Sequence, residues 1–167
     1  MRVSDIRLEE VGGAVPTTGA RFAGDGWCLS GEELDAYEFR TESDGGRRIG
    51  VLRSVTEVGA DRGAVAQLTA GEPFRGRRVT FRAELRGDGV DGEVVVALGA
   101  TRFWVHEQVE AVSRPPLRGT FGWTPVETSM DVPPDGSSIV AGVLLTGTGT
   151  VRFANASLDG VELGFDG

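Results

Sequence analysis

Lysine is missing from this chain: all 17 basic residues are arginine. Beside 26 glycines and abundant alanine and valine, that usage points to a GC-rich genome, a matter of codons rather than function. Cysteine occurs once, at Cys28, which excludes an internal disulfide and fits a reducing compartment. Histidine also occurs once, at His106, and one His with one distant Cys makes no zinc pattern. Neither a metal nor a cofactor is expected. No apolar run approaches the roughly 20 residues of a membrane helix, so no membrane partner is expected. The opening "MRVSDIRLEE" lacks the apolar core of a signal peptide, and a cytoplasmic location is the expectation. Positive charge is outweighed, with a net charge of −8, which argues against nucleic acid as the main partner. Helical signals are nearly absent. Only "SGEELDAYEF" offers a helical turn, with Ser30 as a cap and Glu32 and Glu33 near its positive end. No internal repeat and no "GxSxG" elbow is found, and the glycine clusters "GDGVDG" and "GTGTV" join strands rather than open helices, so phosphate-loop chemistry is excluded.

What is present is a succession of short apolar runs, often alternating, punctuated by Gly, Pro and Asp. Strands are expected near 36–42, 48–55, 63–70, 78–86, 92–99, 102–109, 124–132, 138–147 and 150–163. Turn signals separate them, among them "DGG", "GDGVDG", "RPP", "PPDG" and "GTGT". Many short strands with almost no helix mean an antiparallel sandwich or barrel. At 167 residues, 40% hydrophobic and 25% charged, the chain is expected to form one domain over 1–167.

Several strands are two-sided. In "RVTFRAELR", Val79, Phe81, Ala83 and Leu85 share one face, and Thr80, Arg82, Glu84 and Arg86 the other. The simple reading of this arginine-rich segment is a turn and a strand whose arginines face water. In "TRFWVHEQVE", Trp104 and His106 share a face with Arg102 and Gln108, while Glu107 points the other way. An alternating strand whose polar face carries a large aromatic suits the wall of a concave groove. "SIVAGVLL" is apolar on both faces, as a strand covered on both sides is.

The order of segments resembles jelly-roll domains of the galactose-binding or carbohydrate-binding-module type found in bacteria. The features are "GDGWCLSG", "YEFRTES", "GRRIGVLRS", "AQLTA" with "FRGRRVTFRAELR", "RPPLRGTFGWTPVETSMDVPPD" and "AGVLLTGTGTVRFANASLDGVEL". They run from about Trp27 to Leu163. The resemblance implies an all-β antiparallel jelly-roll β-sandwich with one concave, ligand-facing sheet. Members commonly end in a "VDD" strand whose carboxylates support a site or a structural calcium ion. Here those positions read Phe153, Ala154 and Asn155, so no metal is carried over.

Sugar-binding faces combine an aromatic ring, which packs on the apolar face of a sugar, with charged and amide groups that bond hydroxyls. Trp104, His106, Arg82, Glu84, Gln67 and Tyr37 supply those types and are the expected ligand contacts. Trp27 and Trp123, in looser segments, could rim the site, but they match recurring positions where core or corner roles are more common. The leading expectation is a binding module for a carbohydrate or similar small molecule. The alternative is a cofactor-independent cyclase or isomerase of specialised natural-product metabolism, with His106 as general acid or base and Glu84 and Arg82 polarising the substrate. A third reading is an interaction domain, and exposed sheet edges leave room for a homodimer.

Overall fold

The computed structural model describes residues 20–22, 27–31, 36–55, 62–101, 108–135 and 138–163. The strands are β1 (Ala20–Phe22), β2 (Cys28–Gly31), β3 (Tyr37–Asp44), β4 (Arg47–Ser54), β5 (Arg62–Ala70) and β6 (Arg78–Thr101). They continue with β7 (Gln108–Val112), β8 (Leu117–Asp131), β9 (Ser138–Thr146), β10 (Thr150–Leu158) and β11 (Val161–Glu162). A 3₁₀ turn, Glu72–Phe74, precedes β6 and buries Phe74. Among the described residues no helix is long and apolar enough to cross a membrane.

Among the described residues every strand pairing is antiparallel. The sheet is continuous but folded on itself, because β6 belongs to two layers. Its half at 93–101 pairs with β9 and β7, and β9 leads on to β5, β2 and β1. Its half at 78–88 pairs with β8 and β10, and β10 leads on to β4 and β3. The result is an all-β jelly-roll sandwich.

The alternation read in "RVTFRAELR" sets which side is core. Val79, Phe81, Ala83 and Leu85 are buried, while Arg82 and Arg86 are exposed. Residues of both layers fill the interior. Trp27 meets Phe153 edge-on at 5.1 Å between ring centroids, and Phe39 stacks on Phe153 at 5.9 Å. The single thiol, Cys28, is buried.

The sequence expected two strands, 78–86 and 92–99, with "GDGVDG" turning the chain between them. The structure instead carries one strand through, because three register shifts against β8 absorb the bend. Glycine permits the close passage there: a Cβ on Gly92 would lie 2.1 Å from the Thr146 carbonyl oxygen. β8 is correspondingly longer than the expected 124–132, following β6 across both layers. Of the expected strand at 102–109, β7 begins at Gln108, and Trp104 and His106 lie outside the described residues. Glu32 and Glu33 of the expected helical turn also lie outside them.

Candidate functional site

The outer face of the second layer is where polar and aromatic groups converge. Two β-bulges, one on each side of β6, shape it. On the β8 side Leu85 faces Thr124 and Gly87 faces Phe121, so Arg86 alone is opposed by Gly122 and Trp123. On the β10 side Glu84 faces Ala154 and Arg82 faces Ser157, so Ala83 alone is opposed by Asn155 and Ala156. An extra residue breaks the strict alternation and re-aims a side chain. Asn155 takes up its bulge with φ of 53°, a left-handed conformation that asparagine tolerates better than most residues. Ala156 then turns into the core and Asn155 stays outside.

Trp123 is the centre of this face. It is half-buried and packs on a small apolar floor of Ile49, Val51 and Ala154, separate from the main core. The Arg47 guanidinium lies over its ring, 4.6 Å from the centroid, a cation–π contact. The same guanidinium is 3.5 Å from Glu84 Oε1, and Asn155 Nδ2 donates to Glu84 Oε2 at 2.8 Å. Glu84 is thus held between a cation and an amide while its side chain keeps 35% exposure. It remains reachable by a ligand.

Beside this platform a groove of about 700 Å³ follows β8. Arg82, Glu84 and Asn155 line it together with Pro125 and Glu127 of β8 and with Arg114, Pro115 and Leu117. Arg82 and Glu127, paired across β6 and β8, approach to 3.7 Å and are both more than half exposed. The other flank carries an ion-pair ladder. Arg40 donates to Glu42 at 2.6 Å and to Glu38 at 3.1 Å; Arg53 bonds the same Glu38, and Arg152 Nε sits 3.7 Å from Glu42. The hydrogen bond from Arg40 holds the Glu42 carboxyl below its ordinary 4.5, partly opposed by desolvation and aided by the charges of Arg40 and Arg152. Among the described residues no group of three or more His, Cys, Asp and Glu is arranged to hold a metal ion.

The structure therefore brings Arg82 and Glu84 together on one face. It does not bring Tyr37 or Gln67 to it. Tyr37, expected as a ligand contact, is a core residue: it is 3% exposed, its hydroxyl donates to the Gly147 carbonyl at 2.7 Å, and its ring packs where Gly63 leaves room. Gln67 stands on β5 in the other layer, opposite Ala141, away from the groove. Of the residues around Glu84, the sequence offers Trp123 only as a rim residue, with a core or corner role favoured, and it does not single out Arg47 or Asn155. Where Trp123 points depends on a strand register that the sequence does not carry.

No protein-family model matches the chain, and no curated protein matches it. The likeness to known proteins is structural. A xylan-binding domain of carbohydrate-binding-module family 22 superposes with a TM-score of 0.57 at 11% identity, over 86% of this chain and 96% of that one. The CBM22-1–GH10 modules of Clostridium thermocellum xylanase 10B, complexed with xylohexaose, give 0.57 at 13% identity, over 83% of this chain. This chain spans about a quarter of that xylanase chain (26%). A Stig cyclase from Fischerella sp. TAU gives 0.54 at 15% identity, over 79% of this chain and 73% of the cyclase. At such identities the likeness shows the fold alone, a jelly-roll sandwich shared with carbohydrate-binding modules and with a cyclase alike.

Proposed function

We propose that the protein binds a carbohydrate, or a similarly hydroxylated small molecule, on the outer face of the second layer. The observation that carries this is the Trp123 ring seated on Ile49, Val51 and Ala154 and bordered by Arg47, Glu84 and Asn155. An aromatic ring offers the apolar face that sugar C–H groups pack on, and the three polar side chains supply donors and acceptors for hydroxyls. The adjoining groove gives room for further units. The Arg47 guanidinium already lies over the ring, so a ligand that stacks on the indole displaces it or packs at the ring's open edge. Arg82 and Glu84 belong to the same reading as groove contacts, and Trp104 and His106 as contacts from the segment between β6 and β7. A reducing, cytoplasmic setting suits the single buried thiol, Cys28.

The test is calorimetric titration with xylohexaose and a panel of oligosaccharides, followed by Trp123→Ala. Loss of an aromatic anchor of this kind is expected to weaken affinity by at least about tenfold, or ~1.4 kcal/mol. Trp123→Phe, which keeps a ring on the floor, is expected to fall between. Wild-type affinity in Trp123→Ala, with the circular dichroism spectrum unchanged, would overturn the assignment.

The likeness to the Fischerella cyclase favours a second reading, a cofactor-independent cyclase or isomerase. In it His106 moves protons, Glu84 and Arg82 polarise the substrate, and the groove confines it. Incubation with a metabolite extract separates the two. A compound retained at up to one equivalent and released unchanged marks a binder. A compound consumed in large molar excess, with an isomer of equal mass appearing, marks an enzyme.

A further inference from the structure

The charge pattern next to Trp123 narrows the ligand. One row of the outer face, read across the strands, is Arg40, Val51, Arg152, Arg86 and then the bulge that carries Trp123. Arg152 and Arg86 are direct cross-strand partners, which places their Cβ atoms about 5 Å apart, and like charges so placed repel. Among the described residues the nearby carboxylates leave Arg86 without a partner. Glu42 receives two hydrogen bonds from Arg40 and is shared at 3.7 Å with Arg152. Glu38 serves Arg40 and Arg53, and Glu84 serves Arg47 and Asn155. Asp88, exposed two residues further along β6, makes no ion pair with Arg86. Arg86 is therefore an exposed guanidinium without a carboxylate partner among the described residues, opposite a second guanidinium and beside the aromatic platform.

We propose that the ligand seated at Trp123 carries an oxyanion, received by Arg86 and Arg152, and is thus an acidic saccharide, with a uronic acid as its simplest form. The guanidinium fork matches a carboxylate or sulfate with two parallel hydrogen bonds, and an anion between the two arginines removes their repulsion. Attraction must be local, because the chain as a whole carries a net charge of −8. It falls as salt screens it. This inference rests on the carbohydrate reading above and deepens it.

The experiment titrates the full chain with a trisaccharide of galacturonic acid, its neutral galactose counterpart and a sulfated trisaccharide, at low and high salt. An oxyanion-bearing trisaccharide is expected to bind at least about tenfold tighter than the neutral one at low salt, a ratio that shrinks at high salt. Arg86→Gln should bring the ratio close to one and Arg86→Lys should restore part of it, while Arg62→Gln, on β5 of the other layer, should leave it intact. Which oxyanion wins, carboxylate or sulfate, identifies the sugar's acid group. Binding of the neutral sugar with no preference for either acid would overturn the inference and leave the carbohydrate reading standing. A preference that survives Arg86→Gln would overturn the assignment to these arginines. Binding of none of the three would sink both this inference and the reading beneath it.

Discussion

Glu42 is a carboxylate whose protonation the structure resists, and its consequence for stability has a definite sign. Arg40 donates to it, Arg152 approaches it, and its pKa in the folded chain lies below the ordinary 4.5. A group with a depressed folded-state pKa contributes its stability in full above the unfolded value and loses it as pH falls through the folded value. The stability difference between wild type and Glu42→Gln is therefore expected to be constant near neutrality and to shrink once pH drops below 4.5. Urea midpoints measured across that range check it, and a difference that grows in acid would contradict the ladder. Solvent screens these half-exposed groups, so the effect is small. Tyr37 illustrates the opposite case at the same scale. Its residue type suits a ligand rim, yet its hydroxyl is spent on the Gly147 carbonyl inside the sandwich. A phenol looks the same in sequence whether it faces a sugar or caps a backbone oxygen.

β6 is the element on which both layers hang, and its bend depends on residues without side chains. Adding a Cβ at Gly92 would drive it to 2.1 Å from the Thr146 carbonyl oxygen, a backbone atom that has no easy way to move. Gly92→Ala is expected to cost roughly 1–3 kcal/mol or more, as overpacking does. Gly122→Ala meets nothing within 4 Å and should stay within about 0.5 kcal/mol of wild type. Chemical denaturation of the two variants side by side tests this contrast. The strand's two faces were legible beforehand, since Val79, Phe81, Ala83 and Leu85 alternate with Arg82, Glu84 and Arg86 and nothing local interrupts the period. Its continuity through "GDGVDG" was not. The same glycines suit a turn or a bend, and pairing with β8 and β9 chooses between them.

For the whole molecule, one interior joins the layers: Trp27 from the first meets Phe153 of the second, and the main core draws on nearly every strand. Unfolding is accordingly expected to be a single cooperative transition, with tryptophan fluorescence and far-ultraviolet circular dichroism superimposing in urea. Two separated transitions would mean that the layers come apart independently. The sequence by itself determined the all-β class, the alternation that turns Arg82, Glu84 and Arg86 outward, and the scarcity of groups able to ligate a metal. These follow from composition and from the two-residue period of a strand, both local properties. Only the tertiary structure decided that Trp123, Arg47 and Asn155 surround Glu84, that Tyr37 is withdrawn into the core, and that Arg86 stands against Arg152. Each of those depends on strand register and on one extra residue in β8 and one in β10, and a register exists only once the partner strand is in place.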